Sequence, residues 1–401
     1  MNFFSEDPVL AGELGAAMTQ GIQSTHIAAN VKHYAVNVQE YDRMGANAIV
    51  SERTLREIYL RAFEIAIKKG DPWTIMTSYN KVNDQWVNSN RHLMKDILRD
   101  EWGYDGVVVS DGGAIHTNKV EAHLNGLDVE FCGPAHKWML QEAYNRGQVP
   151  DSVLDEIARR VLTLYFKILE GREPGYRADL ELGHRYSRKV DADGTVLLKN
   201  EGKILPLSPE AGETIAVIGG LAVEPNCMGG GCAYMNGNHK DQPLTEIQKL
   251  AGTNRVLYAP GYYTQTGKAV GGRLTVDETV DLALVREALS AAEQADKVIF
   301  FMGLYTGQEA EGYDRYDLQL PRHQVELLAR LHSVNKNIVV VLSTGSAVDL
   351  RQVVPHCRAL LEVWLGGESS GGGTADVLFG AEPGGRLSET FPMRFEDIPS
   401  Y

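Results

Sequence analysis

Val107-Val108-Val109 runs without a polar interruption into Ser110-Asp111. A strand that is apolar on both faces has to be covered on both, which is the situation of a parallel strand in an alternating β/α chain. The same pattern recurs upstream. AANVKHY (28–34) leaves the core at Lys32-His33, and Trp73–Ser78 ends at Tyr79-Asn80. Helical periodicity fills the intervals. Leu55, Ile58, Tyr59, Ala62, Phe63 and Ala66 share one face, with Ser51 suited to the N-cap, Lys68-Lys69 to the last turn and Gly70 to the stop. Leu93, Met94, Ile97 and Leu98 mark a second helix. A short alternating piece, Leu127–Phe131, precedes helices expected at 135–147 and 151–170. Polar residues just beyond strand ends are where β/α barrels carry their chemistry. A full barrel takes about 250 residues, and this pattern ends near residue 170 after about four strands, so a partial barrel is expected.

Residues 171–190 are polar and turn-rich and read as a connector. A second α/β pattern follows, with strands at Ile215–Ile218, Val256–Tyr258, Val298–Met302, Ile338–Leu342 and Leu360–Trp364, and helices at Asp281–Ala295 and Arg322–Ser333. Short apolar strands separated by helices indicate a mostly parallel sheet covered on both faces, whose ligands bind beyond the carboxyl ends of the strands. The expected fold class is therefore α/β. A partial (β/α) barrel over 1–170 is joined by the 171–190 connector to an α/β sandwich over 191–401.

Composition narrows the partners. With 39 basic against 53 acidic residues the net charge is −14, which argues against nucleic acid and anionic membrane. No apolar run approaches the ~20 residues of a membrane helix. The start, MNFFSEDPVLAGEL, lacks the basic and apolar regions of a signal peptide. Cys132, Cys227, Cys232 and Cys357 are scattered, without zinc-site spacing. They read as reduced structural thiols in a cytoplasmic protein, and no metal or other cofactor is expected.

Asp111 is the sharpest candidate for chemistry. A carboxylate delivered to a strand end and partly desolvated is usually paired or functional. An Asx turn or helix cap is the alternative, which Gly112-Gly113 make credible. Lys32 and His33 alternate along their strand but can both reach one pocket from its end; a surface lysine beside a hydrogen-bonded histidine is the plainer reading. Tyr79-Asn80 adds a third polar strand end. In the second half, Glu309, Glu311, Asp314, Arg315 and Asp317 crowd a single loop. That loop is either a solvated turn held by an Arg–carboxylate pair or the carrier of a catalytic acid. Neither GxGxxG, GxxxxGK[ST] nor GxSxG occurs in the required setting, which argues against a nucleotide site and a serine nucleophile. Gly229–Gly231 receive no assignment beyond that, and the glycines flanking Glu368 read as positions where backbone turns or packs closely.

Several ordered motifs resemble glycoside hydrolase family 3, in its β-glucosidase/β-xylosidase branch. They are FSEDP (4–8), VKHYAVN (31–37), IVSERTLREIYL (49–60), MTSYNKVN (76–83), LRDEWGYDGVVVSD (98–111), TVLLKNEGKILPL (195–207), EGYDRYDLQLP (311–321) and ADVLFGAEPGGRLSETFP (375–392). KHYAVN lacks the KHFPGHG form of the N-acetylglucosaminidase branch. By position, the resemblance puts the family's nucleophile on Asp111 and its acid/base on Glu311, with Glu309 as the alternative. Lys32 and His33 fall on sugar-hydroxyl contacts, and Tyr79 on a residue near the nucleophile. It implies retaining hydrolysis of β-glucosides or related β-linked sugars, by two carboxyl groups about 5–5.5 Å apart.

The chain departs from that pattern in three ways. It starts where family members are already about halfway round the barrel, Gly112 stands where the branch usually has a tryptophan, and no trailing β-sandwich follows. A half barrel leaves strand edges and apolar faces unpaired. The expected partners beyond a carbohydrate are therefore a second copy of the chain or a complementary N-terminal barrel fragment. A catalytically impaired, sugar-binding homologue or one half of a split enzyme is the alternative function.

Overall fold

The computed structural model describes residues 4–115, 118–131, 137–264, 268–270, 273–276 and 278–398. The chain divides into two compact units, Met1–Tyr176 and Arg177–Tyr401.

In the first unit a three-stranded parallel sheet has the order β1 (Asn30–Tyr34), β2 (Thr74–Thr77), β3 (Val107–Val109). Val108 is fully buried and Val107 nearly so. Leu127–Phe131, expected as an alternating piece, contributes a single parallel bridge from Val129 to Val109 beside β3. Helix α1 (Pro8–Gln23) starts at Asp7, whose carboxylate accepts from the amides of Val9 and Leu10. It packs on α2 (Arg61–Gly70), where small residues permit close approach: a side chain on Gly12 would meet Ile65 Cβ at 2.7 Å. Gly70, read as the helix stop, is the last helical residue and faces Ala16. The left-handed cap falls one residue later, on Asp71, with φ 45°. Ser51 caps the turn leading into this helix by accepting from the Thr54 amide, as its sequence position implied. The helix His92–Glu101 buries Leu93, Met94, Ile97 and Leu98 completely. Of the helix expected over 135–147, Lys137–Asn145 is helical and 135–136 lie outside the described residues. α3 spans Asp151–Glu170.

The second unit begins in the stretch read as connector. Residues 180–190 of it belong to α4 (Leu180–Gly194), which starts at Asp179, an N-cap accepting from the Leu182 amide. Six strands follow: β4 (Val196–Asn200), β5 (Thr214–Ile218), β6 (Arg255–Ala259), β7 (Lys297–Gly303), β8 (Ile338–Ser343) and β9 (Ala359–Glu362). They form one sheet in the order β4-β9-β8-β7-β5-β6. All neighbours are parallel except β4 and β9. Every residue of β8 is buried, as its unbroken apolar sequence requires. β4, at the edge, is buried only at Val196 and was not distinguished as a strand in sequence. Helices α5 (Pro243–Leu250), α6 (Leu282–Glu293), α7 (Arg322–Val334) and α8 (Ser370–Leu378) and a separate antiparallel pair, Lys268–Val270 with Arg273–Thr275, belong to the same unit. α8 carries Gly371-Gly372-Gly373, and a Cβ on Gly371 would lie 2.5 Å from the Asp241 carbonyl oxygen. These glycines serve close packing.

Cys227 and Cys357 are free and buried, and Cys132 lies outside the described residues. Among the described residues no helix is long and apolar enough to cross a membrane.

Candidate active site

Asp111 follows β3 by two residues. Its Oδ1 accepts from the Gly112 amide at 2.7 Å and from the Tyr79 hydroxyl at 3.1 Å. His33 Nε2 lies 3.1 Å from Oδ2, an ion-pair contact off hydrogen-bond alignment, so this second oxygen carries no aligned donor. Burial pushes the Asp111 carboxyl up in pKa. His33, the Gly112 amide and Tyr79 together outweigh that and hold it below the ordinary aspartate value. Asp111 is thus an ionised, largely enclosed carboxylate with one oxygen pinned.

The neighbours follow from the strands. The β1–β2 register shifts between Val31 and Tyr34, the interval that contains Lys32 and His33. Ser78 fixes the other side by donating from its amide to Tyr34 O at 2.8 Å and from its hydroxyl to Ala35 O at 3.0 Å. His33, Tyr79 and Asp111, one residue from each of three strand ends, are thereby brought together. Lys32 sits beside them on β1, half-buried. The turn expected at Gly112-Gly113 exists as well, with Ala114 N donating to Asp111 O and Gly113 at φ 75°. Turn and carboxylate cluster coexist.

Sequence reasoning missed Arg43. Its guanidinium lies 4.6 Å from the Tyr79 ring centroid, and it pairs with Glu40 at 2.9 Å. Nothing local in YDRMGAN marks this, because the contact spans 36 residues. The loop after Asp111 is braced by Asn88, which donates to Ala114 O at 2.8 Å, and by Asn118, which donates to Asn88 and Ser89.

In the second unit the two candidate glutamates sit on the loop that leaves β7, and their environments differ. Both Glu309 carboxylate oxygens accept from the Gly345 amide at 2.9 Å, and the Ser346 hydroxyl adds a contact at 3.0 Å. Burial still raises the Glu309 pKa above the ordinary value. Arg315 donates to the Ser346 hydroxyl and to Ala347 O, rather than to a loop carboxylate. Glu311 Oε2 accepts from the Cys232 amide at 2.8 Å. A parallel bridge between Gly230 and Ala310 holds the loop against Gly229–Gly231. The glycine cluster that had no assignment from sequence therefore positions this loop. Gly231 has φ 72°, and a Cβ there would meet Glu311 Cβ at 2.4 Å.

The one grouping of His and Asp donors among the described residues, His184, His239 and Asp241, includes neither glutamate.

Asp111 is an ionised carboxylate at the carboxyl end of a parallel strand, and in the second unit the 309–311 loop leaves the carboxyl end of another; in α/β sheets such ends are where ligands bind. Residues 2–164 match the Glycosyl hydrolase family 3 N terminal domain and residues 195–401 the Glycosyl hydrolase family 3 C-terminal domain, and the chain belongs to that family. It is 38% identical over 404 residues to thermostable beta-glucosidase B of Acetivibrio thermocellus, covering 100% of this chain and 51% of that protein. It is 37% identical over 409 residues to an exo-alpha-(1->6)-L-arabinopyranosidase of Bifidobacterium longum, covering 99% and 52%. Among solved structures, the Bifidobacterium adolescentis GH3 beta-glucosidase superposes with a TM-score of 0.92 at 37% identity, covering 100% of this chain and 57% of that one. The chain thus spans about half the length of the curated relatives it matches.

Proposed function

We propose that this chain carries the catalytic carboxyl groups of a retaining β-glycosidase acting on β-glucosides or related β-linked sugars. Asp111 attacks the anomeric carbon and forms a covalent glycosyl ester as the glycosidic C–O bond breaks. Glu311 gives its proton to the departing oxygen. It then takes a proton from water, whose oxygen displaces Asp111 and releases the sugar with its configuration retained. His33 and Tyr79 hold Asp111 ionised, and Lys32 and His33 contact sugar hydroxyls. No metal or cofactor enters these steps.

The observation that carries this reading is the Asp111 carboxylate, kept below its ordinary pKa in an enclosed position with only one oxygen pinned. Glu309 has the raised pKa of an acid, but the Gly345 amide and Ser346 occupy both its oxygens. That supports Glu309 as the anchor of the loop and Glu311 as the acid/base.

The test is release of phenol from aryl β-glucosides, β-xylosides and α-L-arabinopyranosides. The last belongs in the panel because one relative is named for it. Asp111→Asn should lose at least roughly 1,000-fold in kcat. Equal turnover by the variant would remove Asp111 as nucleophile.

A second reading, half of a split enzyme or an impaired sugar-binding homologue, is favoured by the open sheet of the first unit. β1 has β2 as its only hydrogen-bonded strand among the described residues, and Val9, Leu10, Leu14 and Met18 of α1 are exposed. On this reading a second copy or a complementary N-terminal barrel polypeptide covers that side. Activity that appears only on mixing with such a fragment would support it, and full activity of a purified monomer would exclude it. The buried thiols of Cys227 and Cys357 support a cytoplasmic location, which cell fractionation would test.

A further inference from the structure

One side-chain cluster of the second unit has no part in this chemistry. His184 lies on α4, and His239 and Asp241 lie on the segment leading into α5. Their ligand-type atoms all fall within 4.8 Å of one another. Each oxygen of Asp241 faces one imidazole: Oδ2 is 3.1 Å from His184 Nε2, and Oδ1 is 2.9 Å from His239 Nε2. The two rings stand 4.5 Å apart at 65°. Two imidazoles on one carboxylate make a compact N,N,O grouping. It is a natural donor set for one dication. Tetrahedral zinc with bonds of about 2.0–2.1 Å has ligand-to-ligand edges of about 3.3 Å, close to the two His–Asp separations.

Three further features belong to a built site. Glu368 Oε1 lies 3.5 Å from His184 Nδ1, the ring nitrogen that faces away from Asp241, so a carboxylate stands behind a histidine as it does in carboxylate–histidine–zinc arrangements. Glu368 is itself held, since Oε2 accepts from the Asn238 amide and its carbonyl from the Asp241 amide, each at 2.8 Å. Asp241 is 4% exposed and seated against α8, where a Cβ on Gly372 would lie 2.6 Å from its Oδ2. The His239 side chain, by contrast, is 64% exposed, which gives a cation a way in and leaves room for water as a fourth ligand.

We propose that His184 Nε2, His239 Nε2 and the Asp241 carboxylate bind one divalent transition-metal ion, with Glu368 orienting His184. Two imidazoles and a carboxylate select Zn2+ or a neighbouring first-row dication over Mg2+ and Ca2+, which take oxygen donors. The ion ties the first turns of α4 to the 238–242 segment and to the turn that carries Glu368. Its role is to fix these elements, so the proposal stands apart from the glycosidase reading.

The experiment uses the tag-free full chain, stripped with EDTA and dialysed. Zn2+ is titrated against a chromophoric chelator, and melting curves are recorded with and without Zn2+. The wild type should bind one equivalent and melt at a higher temperature with Zn2+. His239→Asn, at an exposed position that leaves the fold intact, should weaken binding by at least about 10-fold and abolish the thermal shift. Glu368→Gln should weaken binding about 10-fold. Zinc affinity and melting shift unchanged in His239→Asn, or absence of stoichiometric binding by the wild type, would overturn the proposal and leave the cluster as a histidine–aspartate ion pair.

Discussion

Asp191 provides the most quantitative test of how the second unit is held together. It lies on α4, 7% exposed, with its carboxylate against α8. Burial first, and then the nearby charge of Asp376, raise its pKa to about 8, while a backbone amide at Thr374 only partly offsets them. Its Oδ2 has no hydrogen-bond partner. The folded state therefore holds a proton that the unfolded chain releases near pH 3.8, so stability falls as pH rises between those two values. Each unit of that interval is worth about 1.4 kcal/mol. Replacing Asp191 by Asn, similar in shape and uncharged, removes this dependence. The variant should gain on the wild type by about 3 kcal/mol more at pH 7 than at pH 5. Urea denaturation of both proteins at the two pH values gives the number directly. A stability difference between them that stays constant with pH would show that Asp191 is ionised in the folded state, and the reasoning would fail.

Three further outcomes are expected. Tyr79→Phe removes a donor to Asp111, so the acid limb of the kcat/KM profile should move to higher pH; an unmoved limb would mean that the hydroxyl serves Gly112 O instead. Gly231→Ala places a Cβ at a left-handed φ and against Glu311, and should cost about 1–3 kcal/mol in denaturant melts together with a fall in kcat. Glu309→Gln and Glu311→Gln should separate cleanly. The first is expected to destabilise by about 1–3 kcal/mol through its lost acceptor, whereas the second keeps its stability and loses turnover mainly on substrates with poor leaving groups.

Much of the architecture is legible in local pattern. The unbroken apolar runs at 107–109, 298–302 and 338–342 are strands because their residues are covered on both faces, and Ser51 caps because its hydroxyl reaches an amide three residues on. α4 escaped notice because its sequence, LELGHRYSRKVDADG, is mostly polar. It buries little beyond Asp191 and Ala192, so its apolar stripe is nearly absent. Asp179 as an N-cap was the signal that could have found it. Around the candidate site, Asp111 was conspicuous as a charge at the end of three valines. His33 and Tyr79 were legible as polar strand ends on the same side, but the slip in strand register at Lys32-His33 and the packing of Arg43 on the Tyr79 ring were not, because neither is marked by local pattern. The different surroundings of Glu309 and Glu311 were equally hidden: Gly345 and Ser346 contact the first and Cys232 the second, from 36 to 79 positions away in sequence.

The placement of β4 also bears on how the protein is made. Among the described residues this first strand of the second unit has β9, the last, as its sole sheet neighbour. On a ribosome, β4 emerges about 160 residues before its partner, and such long-range pairing is intrinsically slow. Until β9 arrives, the early strand waits with an unsatisfied edge in a crowded solution. A premature stop shortly after β8 would therefore leave the beginning of this unit, as well as its end, exposed to aggregation and to proteases.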